Sequence, residues 1–178
     1  MAVTVYGGYL LIVLELAKCT LHDLVSRCRK CCTDKLTPTP PSKLCKCERV
    51  SEKDCRKYAF QVLGTIEGLN EHGIVHRDIK PANLLLTWEG DAETADLNAC
   101  AYNEGEGRMH TIDGGFMVGT EGFRAPEVED PDYDSGITYK CDISSLGRTL
   151  VVLALGYNAL LWTPKDVALG PEEGRVVD

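Results

Sequence analysis

His76-Arg77-Asp78-Ile79-Lys80-Pro81-Ala82-Asn83 is the densest polar cluster of the chain that is bounded by apolar runs. Ile74-Val75 before it and Leu84-Leu85-Leu86 after it read as short strands, so the octapeptide is a loop held at both ends. From Asp78 to Asn83 an acid, a base and an amide fall within six positions. Phosphoryl transfer needs such a set: a carboxylate to accept the proton of an attacking hydroxyl, a cation beside the transferring group, and oxygen ligands for Mg²⁺. Asp78, Lys80 and Asn83 could fill these roles in that order. Asp96, after Thr94-Ala95, offers a second carboxylate to join the metal to the phosphates. The competing reading is a capped turn with surface ion pairs.

Outward from this loop the pattern is helical on both sides. Ser51-x-x-Asp54 opens a helix with Tyr58, Val62, Ile66 and Leu69 on one stripe and Ala59 and Leu63 beside it, ending near Gly73. Thr20-x-x-Asp23 opens an earlier one, with Leu21, Leu24, Val25 and Cys28 on one face. Val3 to Tyr6 and Tyr9 to Leu14 flank Gly7-Gly8, a two-glycine hairpin signal. Downstream, residues 97–124 hold six glycines without periodicity and predict a long loop. Ile143, Leu146, Leu150 and Leu153 mark a further helix, and beyond Leu161 a polar tail begins.

The 178 residues carry a net charge of −8, which argues against a general nucleic-acid binder. No apolar run approaches the roughly 18 residues of a membrane span. The apolar start, with no basic flank and with Glu15 in it, reads as strand and not as a signal peptide. Nine cysteines without such a signal predict a reducing, intracellular setting, cytoplasmic or nuclear. Residues 18–58 hold 11 basic and 5 acidic side chains, so this region is either a solvated face or a docking patch for an acidic protein. Three prolines at Pro38, Pro40 and Pro41 forbid a helix in its middle.

His76-Arg77-Asp78 with Asn83 resembles the catalytic loop of the eukaryotic protein kinases, and Ala125-Pro126-Glu127 the motif closing their activation segment. Gly119-Thr120-Glu121-Gly122-Phe123-Arg124 is similar to the family's substrate-facing loop, and Asp142-Ile143-Ser144-Ser145-Leu146-Gly147 to the start of its central buried helix. The resemblance covers about residues 2–160 and implies an α+β fold. A mainly helical kinase C-lobe would span residues 18–161, with a Cys/Pro-rich insert at 28–50 and an activation segment at 96–127. A remnant N-lobe hairpin and hinge would occupy residues 1–17, and a polar tail 162–178.

The resemblance also implies roles. Asp78 would be the base and Lys80 the phosphate-contacting lysine of serine/threonine kinases. Thr120 would tie Asp78 and Lys80 to the substrate loop. Asn83 and Asp96 would hold Mg²⁺. The backbone of Glu15 and Ala17, after Leu14 at the gatekeeper position, would bond adenine above an apolar floor at Leu85. Asp142 would brace the catalytic loop through backbone hydrogen bonds. The implied reaction transfers the γ-phosphoryl group of ATP to a Ser or Thr hydroxyl of a protein substrate.

Several positions depart from the family. Residues 1–17 contain no glycine-rich phosphate-covering loop and no counterpart of the ion-paired lysine and glutamate. That favours a second expectation, a catalytically dead interaction module. Asp96-Leu97-Asn98 replaces Asp-Phe-Gly, so Leu97 is expected in the apolar slot beside His76, and Asn98 must tolerate left-handed backbone. Phe116 fills the usual phosphosite, which leaves Asp113 to face Arg77. Finally, Cys28, Cys31, Cys45 and Cys47 could ligate zinc, or stay reduced in an insertion between two helices. Cys19, Cys55, Cys100 and Cys141 read as packing residues.

Overall fold

The structure, a computed structural model, describes residues 2–26, 50–103, 109–111, 118–129 and 138–161. Strands β1 (Ala2–Tyr6) and β2 (Tyr9–Val13) pair antiparallel, with Tyr6 opposite Tyr9 and Val3 opposite Ile12. The two-residue turn needs left-handed backbone at both positions, and Gly7 and Gly8 take φ of +58° and +83°. The hairpin is a sheet of its own, and Val3, Val5, Leu10 and Ile12 are all exposed.

An irregular segment leads to β3 (Cys19–Thr20) and α1 (Leu21–Ser26). The Thr20 N–H and hydroxyl donate to Asp23 Oδ2 at 2.9 and 2.8 Å, and the Asp23 N–H returns to Thr20 Oγ1 at 3.1 Å. Helix α2 (Glu52–Glu71) begins in the same way. The Asp54 N–H donates to Ser51 Oγ at 3.1 Å and the Ser51 hydroxyl to Asp54 Oδ2 at 2.7 Å. Each cap satisfies a backbone donor that the first helical turn would otherwise leave open. Gly73, at φ +68°, ends α2 by donating to the Asn70 carbonyl at 2.9 Å.

The remaining elements are β4 (Ile74–Val75), a 3₁₀ turn Pro81–Asn83, β5 (Leu84–Leu86), β6 (Ala92–Thr94), a 3₁₀ turn Leu97–Ala99, β7 (Ala101–Asn103) and β8 (Met109–Thr111). They are followed by α3 (Pro126–Glu129), α4 (Lys140–Leu155) and a 3₁₀ turn Tyr157–Leu161. Strands β3, β5 and β6 form one sheet, and β4, β7 and β8 another. Tyr58, Val62 and Ile66 of α2 pack with Leu21, Ile79, Leu84, Leu86, Leu146 and Leu153 in the main core. Burying each such large side chain contributes about 1.5–3 kcal/mol. This core lies directly beneath the His76–Asn83 loop, through Ile79, whose side chain is fully buried.

Three expectations need correction. The stretch 97–124 is not one long loop, because β7 and β8 lie within it and β7 pairs with β4. These three-residue strands are too short to show period-two alternation, and the partner strand defines them. Leu63, placed beside the apolar stripe of α2, is 40% exposed. In α4 the buried face is Cys141, Asp142, Ser145, Leu146, Thr149, Val152 and Leu153, and Ile143 is 41% exposed. Buried polar groups of the neighbouring loops must find partners, and those partners, together with Leu146 and Leu153 in the core, set the rotation of α4. Cys28, Cys31, Cys45, Cys47, Asp113, Phe116 and residues 162–178 lie outside the described residues.

Candidate active site

The loop after β4 is hung from α4. The backbone N–H groups of His76 and Arg77 donate to Asp142 Oδ2 and Oδ1 at 2.8 and 2.7 Å, and Asp142 is only 1% exposed. Burial pushes its carboxyl up, against the pull of these two amides. The two bonds hold Arg77 in left-handed backbone, φ +67°, a conformation that costs a non-glycine residue about 1–2 kcal/mol. The Arg77 side chain is buried and its Nε donates to the Ala99 carbonyl at 2.5 Å. His76 is fully buried. Its Nε2 donates to the Ala95 carbonyl at 3.2 Å and its Nδ1 accepts from the Asp78 N–H at 3.3 Å, a pattern only the Nε2–H tautomer satisfies.

The left-handed turn at Arg77 directs Asp78 towards the loop that carries Gly119 and Thr120. Asp78 Oδ1 accepts from the Thr120 hydroxyl at 2.7 Å. Its Oδ2 accepts from Lys80 Nζ at 2.7 Å and from Asn83 Nδ2 at 2.9 Å. Lys80 Nζ also donates to Thr120 Oγ1 at 2.6 Å, which closes a triangle of acid, base and hydroxyl. Burial alone would raise the Asp78 pKa. The hydrogen bonds from Lys80 and Thr120, the Lys80 charge and the bond from Asn83 outweigh burial and hold it below the usual carboxylate value.

Gly119 makes this closure possible. At φ +96° it lies so close to the loop that a Cβ would meet the Arg77 carbonyl oxygen at 2.4 Å. Gly119→Ala should therefore destabilise the fold by about 2–4 kcal/mol, from left-handed strain plus backbone overlap. It should also part Thr120 from Asp78. Chemical denaturation checks the first effect, and a midpoint within experimental error of the wild type would refute it.

Asn83 spends both amide hydrogens on Asp78, at its carbonyl (2.9 Å) and at Oδ2, which leaves its Oδ1 for another partner. The Ala95 N–H donates to the Asn83 carbonyl at 2.9 Å, so Asp96 is one residue from a direct contact with Asn83. Asp96 takes φ +66° and its Oδ1 accepts from the Asn98 N–H at 3.3 Å. Left-handed backbone thus falls on Asp96 and not on Asn98. Leu97 is 55% exposed and does not fill the slot beside His76, because the 3₁₀ turn that follows Asp96 carries it outward. Leu85 is half-buried between the buried Leu84 and Leu86, as strand alternation requires. Glu15 and Ala17 lie in the irregular segment before β3.

Several contributors were not anticipated. Ser145 donates to the Phe123 carbonyl at 2.8 Å, Thr149 to the Ile79 carbonyl at 3.4 Å, and Arg124 to the Gly119 carbonyl at 2.8 Å. With Asp142, Ser145 and Thr149 form a polar stripe at helical spacing on the buried face of α4, and that stripe was visible as a signal. Cys100 and Cys141 are buried, and burial raises the Cys100 thiol to about 11 and pushes Cys141 up as well, as suits packing residues. Among the described residues no group of three or more His, Cys, Asp or Glu could hold a metal ion. None of their helices is long and apolar enough to cross a membrane.

A braced loop, a carboxylate bonded to a nearby lysine and to a threonine of a distant loop, and a helix hydrogen-bonded to both loops define a kinase-like C-lobe. A model of the protein kinase domain matches residues 3–167, and the chain belongs to that family. It is 35% identical over 113 residues to CBL-interacting serine/threonine-protein kinase 26 of Arabidopsis thaliana, which covers 61% of this chain and 24% of that protein. It is 36% identical over 126 residues to ribosomal protein S6 kinase 2 alpha of Xenopus laevis, covering 66% of this chain and 16% of that protein. The chain thus spans a quarter or less of these relatives' length. Among solved structures, a chain of the yeast RNA Pol II CTD kinase CTDK-1 complex shares the fold. Its TM-score is 0.63 at 21% identity, over 86% of this chain and 42% of that one.

Proposed function

We propose that this chain carries the phosphoryl-transfer half of a serine/threonine protein kinase, acting on a Ser or Thr hydroxyl of a protein with ATP as donor. The observation that supports it most is the closed triangle of Asp78, Lys80 and Thr120. Asp78 accepts the proton of the attacking hydroxyl. Its Oδ2 already takes two donors, whereas Oδ1 takes only Thr120, so Oδ1 is the atom with capacity left. Lys80 lies where the moving phosphoryl group would need a cation, and Thr120 keeps both groups beside the substrate loop. Glu15 and Ala17 offer backbone groups to adenine, and Leu85 an apolar floor. Asn83 and Asp96 fit Mg²⁺, because both present hard oxygen atoms and one atom of each remains uncommitted to the loop's own bonds. When bound, the ion neutralises phosphate charge. Two protein ligands are enough for it, since phosphate and water supply the rest. Zinc at Cys28, Cys31, Cys45 and Cys47, and an acidic partner at the basic insert, remain secondary proposals.

ATP binding should depend on Mg²⁺. Calorimetric titration is expected to show affinity at least about tenfold lower in chelator, the loss of one charge-assisted contact. Equal affinities would remove Asn83 and Asp96 from the metal site. The exposed apolar hairpin favours the second reading, a non-catalytic interaction module, and turnover of the wild type beside Asp78→Asn separates the two.

A further inference from the structure

Residues 14–18 carry no regular secondary structure, yet two hydrogen bonds pin them. The Leu16 carbonyl accepts from the Trp88 indole Nε1–H at 3.1 Å, and the Lys18 N–H donates to the Leu86 carbonyl at 2.8 Å. Leu16 and Lys18 therefore turn their backbone groups to the same side, that of β5 and its following turn. Glu15 and Ala17, each next to a residue held on the β5 side, carry the backbone groups that these two bonds do not use.

Trp88 is an unusual residue to find there. It is 66% exposed, so burial of its rings is not what holds it. Its N–H is committed to a carbonyl 72 residues away in sequence. The turn that carries it is clamped to α2. Lys57 Nζ donates to the Gly90 carbonyl at 2.8 Å and pairs with Asp91 Oδ1 at 2.9 Å. Gln61 Nε2 donates to Asp91 Oδ1 at 2.7 Å, and Gln61 Oε1 accepts the Ala92 N–H at 2.9 Å. Within the turn, the Asp91 N–H donates to Thr87 Oγ1 at 3.1 Å. The indole is thus presented from a fixed bracket, while the segment it holds is otherwise irregular and exposed.

We propose that Trp88 is a positioning residue for the nucleotide: its indole clasps the hinge at Leu16 and so presents the Glu15 carbonyl and the Ala17 N–H to adenine. This rests on the kinase reading of Glu15 and Ala17. The clasp sets the distance between the hinge and Leu85, because β5 supplies the floor, the Leu86 carbonyl that holds Lys18, and the entry to the Trp88 turn. Trp88 touches no reacting atom, so its loss should weaken nucleotide binding through the hinge alone.

The test compares the chain with its Trp88→Phe variant, which keeps an aromatic ring and removes the donor. Hydrogen–deuterium exchange without nucleotide should be about tenfold faster at the amides of residues 15–18, and Mg·ATP affinity by calorimetry about three- to tenfold weaker, as for one lost hydrogen bond. Exchange in α2 and α4 should stay unchanged, which a merely structural role would not predict. Lys57→Met, which frees the bracket without touching the indole, should shift hinge exchange and affinity in the same direction by less. Unchanged hinge exchange in Trp88→Phe overturns the clasp. Faster exchange with unchanged affinity, beside a wild type that binds, overturns the positioning role alone. A wild-type chain that takes up no Mg·ATP overturns the kinase reading and the positioning role with it, a result distinct from the other two.

Discussion

Asp78→Asn is expected to lower phosphorylation of a Ser/Thr peptide by about 10²–10⁴-fold, the usual contribution of a positioned general base, and to leave Mg·ATP binding nearly intact. The assay is best run in a chimera that adds the phosphate-covering loop and its lysine from a related kinase. Asparagine keeps the shape of the side chain but cannot take the hydroxyl proton, and an NH₂ in place of Oδ2 would face Lys80 and Asn83 as donor against donor. Turnover close to an active wild type would leave Asp78 a structural carboxylate, whereas a chimera that phosphorylates nothing in either form would favour the interaction-module reading. The same variant carries a pH signature. Lys80, Thr120 and Asn83 depress the folded-state pKa of Asp78, so the carboxylate binds fewer protons in the folded than in the unfolded chain. Its stabilisation is present in full above the unfolded value, about pH 4, and is lost as pH falls through the folded value. The stability gap between wild type and Asp78→Asn should therefore narrow in acid. A gap that widens below about pH 4 would contradict the assigned hydrogen bonds.

Asp142→Ala should cost about 3 kcal/mol or more of folding stability, read from denaturant midpoints. It leaves the buried N–H groups of His76 and Arg77 without an acceptor, at about 1–3 kcal/mol each, and relief of the buried charge offsets part of that. The loss would not be confined to stability. The bonds to Asp142 hold Arg77 at positive φ, and relaxation there would turn Asp78 away from Thr120. Asp142→Asn should be milder, because one oxygen remains to accept one of the two amides. A fully stable Asp142→Ala protein would show that the loop is held from elsewhere, with the Arg77 bond to Ala99 the first candidate.

Local chemistry made much of this legible from sequence. The caps at Thr20-Asp23 and Ser51-Asp54, the Gly7-Gly8 turn, the stripe Tyr58-Val62-Ile66 and the stop at Gly73 all depend on residues within a few positions of each other. Such signals survive in a linear reading because the interactions they encode are themselves short-range. Asp78, Lys80, Asn83 and Thr120 were singled out through the resemblance of their motifs, and the structure brings the four side chains together. What only the tertiary structure decided depends on partners far apart in the chain. Strands β7 and β8 exist because β4 offers an edge. The rotation of α4 follows in part from buried amides of a loop some 65 residues earlier, which claim Asp142 and leave Ile143 outside. Leu97 lost its expected slot to the left-handed turn at Asp96. Trp88 gained its partner at Leu16 because α2 clamps the β5–β6 turn beside an irregular segment. In each case buried or fixed polar backbone groups had to be satisfied, and no local pattern records which distant residue satisfies them.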